Sequence, residues 1–428
     1  MSRRPIGEDV MASKSKKQRT KKESATSLVL LSLTVGVLAL LQNKYGIASD
    51  IYGFYGMHFY DGRNLWPFSE KILEGDTIVQ HPVEYPALTG LIMWLISFLV
   101  SPSATAIYSY YRITAALQIV LLAISAYLIF KLAGKKYGCY FVLAPAVLYS
   151  LNRNWDIWAV AAMLLAIYLF EKKRFQLSAI LLAVSIATKF FPIVLLLPIL
   201  IIFLRDKQLK LFIRYALTTV AAWVVINLPF VLINYEGWAY FYKFSAERGL
   251  GSASFFEITS IVVPSITFSS IHFYILNILA LVVVTIYFAK LKSVPTLAAT
   301  SFFVMFGFIL FNKQYSFQYV IWLSVLAVLT FSYLKREHRE SLLYVYILWQ
   351  AFELAFQYAF FQMLLTNTFA NTATPMTITV SKGAYGYIGV ARYIVAVVFA
   401  LLLAKFFFAA NAESAQSQEN MKSRQQNN

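Results

Sequence analysis

Cysteine, histidine and charged residues are all scarce in this chain of 428 residues. One cysteine, Cys139, and four histidines leave little material for a disulfide framework or for a metal site built on thiolates or imidazoles. Charged residues make up 13%, whereas soluble domains usually have roughly a quarter. The P-loop, the Rossmann glycine pattern, the HExxH motif and the nucleophile elbow are all missing. The sequence therefore predicts no metal, no cofactor and no nucleotide-binding fold.

Apolar residues dominate instead, at 59% of the chain with a mean hydropathy of +0.64. This composition predicts a polytopic membrane protein. The net charge of +17 does not indicate nucleic acid, because most lysines and arginines stand in short clusters between apolar runs, as the positive-inside rule expects. The first apolar run has a long basic lead and no small-residue cleavage site, which favours an uncleaved anchor over a signal peptide.

The apolar runs predict an all-α protein with about 12 transmembrane helices. The run 87–101 is short and is assigned to the outer interface, because counting it as a span would put a basic cluster on the wrong side. Both termini are then cytoplasmic, with disordered tails at 1–24 and 411–428 around a membrane domain at 25–410. The predicted spans are 25–42, 108–132, 138–151, 155–170, 175–188, 191–204, 211–234, 269–289, 294–311, 315–334, 341–364 and 385–409.

This topology gives two large outer loops, at 43–107 and 235–268. The first loop is too long and too polar for a simple connection, and its aromatic residues argue against disorder. We therefore expect this loop to carry the reaction, with interfacial helices of its own and the membrane helices as a frame. Its carboxylates are Asp50, Asp61, Glu70, Glu74, Asp76 and Glu84.

Asp50 lies shortly after the first span, where a carboxylate near the membrane surface could accept a proton from an acceptor hydroxyl. It could also simply cap a short helix, and its position alone favours that simpler role. Asp61 and Glu84 have similar claims, and charge does not rank the three. Glu84 also stands just before Pro86, a residue suited to a helix N-terminus, which an acidic neighbour favours.

Three further polar motifs fall on the predicted outer side. The cluster 152–156 (Asn-Arg-Asn-Trp-Asp) has more polar groups than a helix cap requires, although Asp156 could be such a cap. Lys189 and Lys313 are isolated lysines beside aromatic residues, on the side where the charge bias disfavours them. Each could hold a lipid phosphate as a point charge, or could extend to the lipid head groups, which is slightly favoured for a lysine taken alone.

Taken together, these motifs resemble the GT-C superfamily of membrane glycosyltransferases. The likeness is to glycosyltransferase family 87, the polyprenyl-phosphate-mannose-dependent α-mannosyltransferases of actinobacteria, and it extends over roughly residues 25–335. One departure is Phe317, where the family tends to have proline between serine and glutamine. The motifs that carry the resemblance are Ser49-Asp50, 84–90 (EYPALTG), Asn154-Trp155-Asp156, 189–192 and 313–319.

The resemblance implies an inverting transfer in which Asp50 is the base and Lys313, with Lys189 or Arg248, holds the phosphate as negative charge develops. It also implies a polyprenyl-phosphate sugar donor, a glycolipid or glycan acceptor and membrane lipids as partners, without nucleic acid, at the outer face of the cell membrane. By the same resemblance, substrate-binding roles fall on Asp61, Arg63, Glu84, Tyr85, Asn154, Asp156, Lys189, Arg248, Lys313, Ser316, Gln318 and Tyr319.

Two other classes stay open. Twelve spans with both ends inside are common in transporters and in lipid or oligosaccharide flippases, but no two-fold repeat is visible and the polar residues gather at the outer face. If the protein is a transporter, the mid-span Glu353 should be indispensable. If it is a non-catalytic membrane scaffold, substitution of Asp50 should leave its function unchanged. Glu353 is predicted either to be a hydrogen-bond node or to line a groove for acceptor or lipid, and it shares a helix face with Tyr346, Gln350 and Gln357.

Overall fold

The computed structural model describes residues 22–41, 69–74, 77–101, 103, 105–367 and 378–426. This part of the chain is mostly helical, and the predicted helical membrane architecture is confirmed. A short 3₁₀ helix, Phe191–Leu195, precedes α8. The helices are α1 (Lys22–Leu41), α2 (Ala87–Ser97), α3 (Ala106–Ala133), α4 (Lys135–Val142), α5 (Pro145–Leu151), α6 (Asp156–Glu171), α7 (Phe175–Thr188), α8 (Leu196–Arg205), α9 (Leu209–Ile233), α10 (Tyr235–Glu247), α11 (Phe255–Val262), α12 (Ser270–Ala289), α13 (Leu297–Leu310), α14 (Tyr319–Phe331), α15 (Arg336–Asn367) and α16 (Lys382–Gln426).

Within these ranges, five helices are long and apolar enough to cross a membrane: α1, α3, α9, α12 and the Lys382–Glu413 part of α16. Helices α5 and α6 add a sixth crossing if they are taken as one unit, although they are bent by 120°. The remaining apolar helices are shorter, and they include α2, α7, α13, α14 and the Phe191–Arg205 unit. The count of about 12 spans therefore stays a prediction.

The apolar run predicted as one span at 138–151 is divided between two helices. Helix α4 ends at Val142 and α5 begins at Pro145, because proline has no N–H to continue a helical ladder. Ala144 has φ −68° and ψ 116°, the extended backbone expected before proline. The polar residues 152–155 then form the sharp bend between α5 and α6, so their polar groups lie outside the regular helices.

The loop predicted to be the first outer one contains a β-hairpin that was not expected from the sequence. Strand β1 (Ser69–Glu74) pairs antiparallel with β2 (Thr77–Pro82), and Ser69 faces Pro82 at the open end. In the sequence, Gly75-Asp76 separates the two strands, and such a pair is typical of two-residue hairpin turns. Helix α2 follows the hairpin directly and is shorter than a membrane span, as expected for residues 87–101.

Helix α14 occupies the centre of the helical packing, since every one of its residues is buried. Helices α9 and α12 lie at the periphery, where most of their apolar side chains are exposed, as expected for surfaces that contact lipid chains. The residues that lead into α14 are consequently surrounded by the ends of other helices. This arrangement determines where the polar motifs that are predicted to face outward can meet.

Helix α16 continues to Gln426, beyond the limit of 410 that the sequence predicts for the membrane domain. Near that limit, the side chain of Asn411 exchanges hydrogen bonds with Ser293, accepting from its N–H at 3.0 Å. Glu413 pairs with Lys335 at 2.8 Å in an exposed salt bridge. The predicted domain limits themselves, including those of the two tails, stay predictions.

Candidate active site

The ends of several helices surround a cavity of about 380 Å³. They include the end of α7, the end of α10 and the residues between α13 and α14. Motifs that are far apart in the sequence meet here. Of the residues that the resemblance singles out, those lining the cavity are Glu84, Tyr85, Asn154, Lys189, Arg248, Lys313, Ser316 and Tyr319.

Lys189 reaches the cavity because helix α7 stops just before it. Lys189 has extended backbone angles (φ −144°, ψ 120°). Pro192 is then the second residue of the 3₁₀ helix Phe191–Leu195, and its missing N–H is tolerated because it lies in the first turn. The sequence Lys-Phe-Phe-Pro therefore ends one helix and begins another at the cavity wall, and the lysine side chain is presented between the two.

Asp156 anchors Lys189 from behind the cavity wall. The Lys189 Nζ lies 2.9 Å from Oδ2 of Asp156, whose side chain is completely buried, whereas Lys189 keeps 17% of its side chain exposed. The other carboxylate oxygen, Oδ1, accepts a hydrogen bond from Nε1 of Trp322 on α14 at 2.8 Å. A buried carboxylate is tolerated when it is paired and hydrogen-bonded in this way. The structure places Asp156 behind Lys189, so its contact is with the lysine and not with the cavity.

Tyr85 and Asn154 complete the wall around Lys189. The ammonium group lies 4.9 Å from the centre of the Tyr85 ring, a cation–π contact. The Tyr85 hydroxyl donates to Oδ1 of Asn154 at 3.1 Å, and this oxygen also accepts from the N–H of Trp155 at 2.6 Å. The backbone carbonyl of Asn154 accepts from Nε2 of Gln118 at 2.7 Å. These bonds join the segment just before α2 to the bend before α6.

Arg248 and Lys313 are two further cations at the cavity. Nζ of Lys313 donates to the carbonyl of Ala246 at 3.2 Å and lies 5.3 Å from the centre of the Phe273 ring. Arg248 is exposed, with its guanidinium 5.2 Å from the Phe244 ring. Among the described residues, neither cation forms a salt bridge. Their charges are thus available to an anion in the cavity.

Only some of the polar side chains in the motif 313–319 line the cavity. Ser316 and Tyr319 line it, and the Tyr319 ring stacks on Phe191 with the centres 5.2 Å apart. Gln318 differs from the expectation, because it is buried at the start of α14 and stands outside the lining. Positions three apart share the face of a helical turn, so Ser316 and Tyr319 can line the cavity together while Gln318 cannot join them.

Three of the residues singled out by the resemblance lie outside the described residues: Asp50, Asp61 and Arg63. Their roles stay predictions, as does the assignment of the base. In the part of the chain that is described, no three His, Cys, Asp or Glu side chains form a group that could hold a metal ion.

Part of the aromatic wall of the cavity was not predicted from the sequence, which singled out only Tyr85 and Tyr319 among its rings by role. Two of the rings, Phe241 and Phe244, stand three residues apart on α10, inside the second predicted outer loop, and this helical spacing was the available signal. A cavity of this kind can hold an anionic group by charge and a ring or an isoprenoid chain by aromatic contact. The aromatic lining consists of Tyr85, Phe190, Phe191, Phe241, Phe244, Phe273, Phe308 and Tyr319.

Glu353 lies in a separate, closed cluster. Its carboxylate is 3.6 Å from Nη1 of Arg392 on α16, and the two side chains are 2% and 1% exposed. It also accepts hydrogen bonds from the hydroxyl of Tyr315 at 2.9 Å and from Nε1 of Trp349 at 3.0 Å. We call these four residues the Glu353–Arg392 cluster. Of the two predicted roles, the structure gives Glu353 that of a hydrogen-bond node.

A sequence model for glycosyltransferase family 87 matches residues 84–265 of this chain. The resemblance to that family is confirmed over this range. The matched range includes Lys189 and Arg248 at the cavity. Asp50 and Lys313 fall outside the matched range.

Two solved structures of ArnT from Cupriavidus metallidurans align with most of this chain. The structure bound to undecaprenyl phosphate aligns at a TM-score of 0.41 with 13% identity, over 90% of this chain and 77% of the ArnT chain. The apo structure aligns at 0.40 with 14% identity, over 89% and 76% of the two chains. TM-scores of this size describe a loose overlay, so no residue correspondence follows from them. None of the curated proteins matches the chain.

Proposed function

We propose that the protein is an integral membrane glycosyltransferase that moves a hexose, which we take to be mannose, from a polyprenyl-phosphate donor to a lipid or glycan acceptor at the outer face of the membrane. The observation that carries this proposal is the cavity where Lys189, Arg248 and Lys313 meet, in a chain whose 84–265 region matches glycosyltransferase family 87. Both termini are cytoplasmic in this proposal.

The three cations suit the phosphate of such a donor. Arg248 can bind two phosphate oxygens with its planar guanidinium, while Lys313 acts as a compact point charge. Lys189 is held in place by Asp156 and still exposes part of its side chain, so it can add a third positive charge. Because its orientation is already fixed, little side-chain entropy is lost when the phosphate binds. Charge that grows on the phosphate as the sugar departs would be stabilised by these fixed groups.

The remaining walls suit a sugar and a lipid chain. The aromatic rings offer apolar faces, and Tyr85 and Asn154 offer polar groups at the same wall. The site lies where apolar helices end, so a donor that is itself anchored in the membrane can reach it. A lipid-linked donor also explains why the sequence has no nucleotide-binding pattern.

The proposed chemistry is a single displacement with inversion. The acceptor hydroxyl attacks the anomeric carbon, and the bond between that carbon and the phosphate oxygen breaks. The electron pair stays on the phosphate, which leaves as a stable anion and needs no general acid. The hydroxyl proton passes to a carboxylate, which we assign to Asp50, shortly after the end of α1 at Leu41. Asp61 and Glu84 are the alternative bases.

The test is a transfer assay with the full chain in lipid nanodiscs. Polyprenyl-phosphate mannose carrying a radiolabel is supplied with a phosphatidylinositol-mannoside extract, and wild type is compared with Asp50→Asn at matched folded yield. Asp206→Asn, in the short basic segment between α8 and α9, is the matched control. We expect Asp50→Asn to lower transfer by about 10²- to 10⁴-fold and the control to leave it unchanged.

Each other outcome corrects a different part of the proposal. Transfer by Asp50→Asn at the wild-type rate would keep the enzyme and move the base to Asp61 or Glu84. Transfer of a different hexose by wild type, with mannose inert, would correct the sugar. Absence of both transfer and donor binding in wild type, for every polyprenyl-linked sugar tried, would contradict the proposed function as a whole.

A further inference from the structure

Two of the cavity cations, Arg248 and Lys313, are borne by segments that contact each other. We call residues 248–254 and 312–316 the loop pair. The N–H of Gly251 donates to the carbonyl of Lys313 at 2.9 Å, and the N–H of Tyr315 donates to the carbonyl of Ser252 at 3.2 Å. The spacing of the two backbone segments that carry these cations is therefore set by hydrogen bonds within the loop pair and by the contacts that hold each segment in place.

One segment of the loop pair is held through Tyr315. This side chain is buried, and its hydroxyl donates to Oε2 of Glu353 at 2.9 Å. Its ring is covered by Arg392, whose guanidinium carbon lies 3.8 Å from the ring centre. Tyr315 is two residues from Lys313, so a shift of the ring would move the lysine backbone as well.

The other segment is held at Ala253, whose φ of 61° is in the left-handed region that residues with a Cβ seldom adopt. Two side chains hold it there. The Ala253 N–H donates to Oε2 of Glu257 at 2.6 Å, and its carbonyl accepts from the hydroxyl of Tyr393 at 3.3 Å. Strained backbone of this kind persists only where surrounding contacts fix it, and it is concentrated at functional sites.

Arg392 connects the two sides. Its guanidinium carbon lies 3.8 Å from the ring centre of Tyr315 and also 3.8 Å from that of Tyr393. One cation thus contacts both tyrosines that hold the loop pair, and Glu353 supplies its counter-charge in an interior where both are almost wholly buried. A buried ion pair adds little stability over a well-packed apolar replacement, and its best-attested benefit is a specific geometry.

We propose that the Glu353–Arg392 pair is a positioning element that sets the spacing of Arg248 and Lys313 for the donor phosphate. The expected effect on donor binding rests on the proposed function, whereas the geometry of the loop pair does not depend on it. Glu353 and Arg392 touch no substrate in this proposal. They act through Tyr315 and Tyr393, which carry the constraint to the loop pair.

Two variants separate positioning from simple stabilisation, because each removes one hydrogen bond to Glu353. Tyr315→Phe keeps the ring but loses the bond that reaches the loop pair. Trp349→Phe loses the bond to the other carboxylate oxygen, on a residue of α15 that is buried and stacked on Phe399. Trp349→Phe also removes more buried volume, so it should cost at least as much thermal stability.

The experiment measures amide hydrogen exchange and donor kinetics for both variants of the full chain in nanodiscs. Tyr315→Phe should speed exchange at Gly251 and at position 315, and should raise the KM for polyprenyl-phosphate mannose about threefold to tenfold while leaving the acceptor KM unchanged. Trp349→Phe should leave both readouts near the wild-type values despite its lower Tm.

Three results would count against the positioning role. Equal exchange in the two variants would show that the hydroxyl of Tyr315 does not hold the loop pair. Faster exchange with an unchanged donor KM would show that the loop pair does not set donor binding. A donor KM that follows Tm across both variants would reduce Glu353 to a stabilising group. A wild type that transfers no sugar would overturn the proposed function, and hydrogen exchange would still decide whether the loop pair is held in this way.

Discussion

One buried carboxylate pairs with a cation at the cavity wall and another with a cation in the Glu353–Arg392 cluster, and the two pairs differ in what surrounds the cation. Lys189 is 17% exposed beside open space of about 380 Å³, whereas Arg392 is 1% exposed and lies between aromatic rings. A cation with an open side can receive an anion from outside. A cation that is enclosed can only hold its neighbours, so the exposure of the cation distinguishes a binding group from a positioning group.

The largest expected effect is on stability, in the closed cluster. Arg392→Met leaves the Glu353 carboxylate buried without its counter-charge, which should cost about 3–5 kcal/mol of unfolding free energy. Thermal unfolding in detergent measures the change, and Arg336→Met, which breaks an exposed i,i+4 pair with Glu340, is the control and should leave Tm unchanged. Equal Tm values for the two variants would show that the fold does not depend on Arg392 as a buried counter-charge.

A smaller loss is expected for Asp156→Asn at the cavity. The amide can still accept from Trp322, but the counter-charge of Lys189 is lost, and the lysine is free to turn toward the open side. We expect a cost of about 1–3 kcal/mol, below that of Arg392→Met, because the cation keeps access to water. The same unfolding assay measures it. A cost as large as that of Arg392→Met would mean that Lys189 is as enclosed as Arg392.

Gly251→Ala tests the contact within the loop pair. A Cβ at position 251 would overlap the side-chain amide of Gln314, which must move and give up its hydrogen bond to the carbonyl of Gly249. The loss should be about 0.5–1.5 kcal/mol, since Gln314 is flexible and can reach water. Gly383→Ala, where a Cβ would meet nothing within 4 Å, is the control. Identical unfolding curves for the two variants would contradict the close approach.

The smallest effect on stability is expected for Lys313→Met. Its ammonium group makes one hydrogen bond to a carbonyl and, among the described residues, no salt bridge. We therefore expect the unfolding free energy to change by about 0.5 kcal/mol or less. Urea or thermal unfolding checks this, with Lys313→Arg as the conservative variant. A loss comparable to that of Arg392→Met would show that Lys313 is a structural cation.

The polar motifs at the cavity could be predicted because their residues are unusual for the apolar sequence around them. A lysine on the side where charge bias disfavours it, or an Asn-Arg-Asn cluster between apolar runs, is visible without a structure. Lys189, Lys313 and Asn154 were found in this way, and the structure brings them to one cavity. The helical membrane architecture followed equally directly from the length of the apolar runs.

Which side chains pair and which are buried could not be predicted from the sequence, because both depend on which helices are neighbours. Asp156 and Gln318 belong to the motifs that were predicted to face outward, yet the fold buries both of them outside the cavity lining. Arg392 could not be singled out from the sequence, because it stands in the last apolar run and is distant in the sequence from its partner Glu353. The helix break at Pro145 could have been predicted, because a proline inside the apolar run 138–151 indicates that one helix ends there and another begins.

The most direct test of the account is equilibrium binding of a polyprenyl phosphate to the full chain in nanodiscs. Wild type is compared with Lys313→Met and with Lys382→Met, an exposed lysine outside the cavity lining, at the start of α16. We predict saturable binding that weakens about tenfold in Lys313→Met, equivalent to about 1.4 kcal/mol, and that stays at the wild-type value in Lys382→Met. Equal weakening in both variants, or unchanged binding in Lys313→Met, would contradict the claim that this cavity holds the donor phosphate.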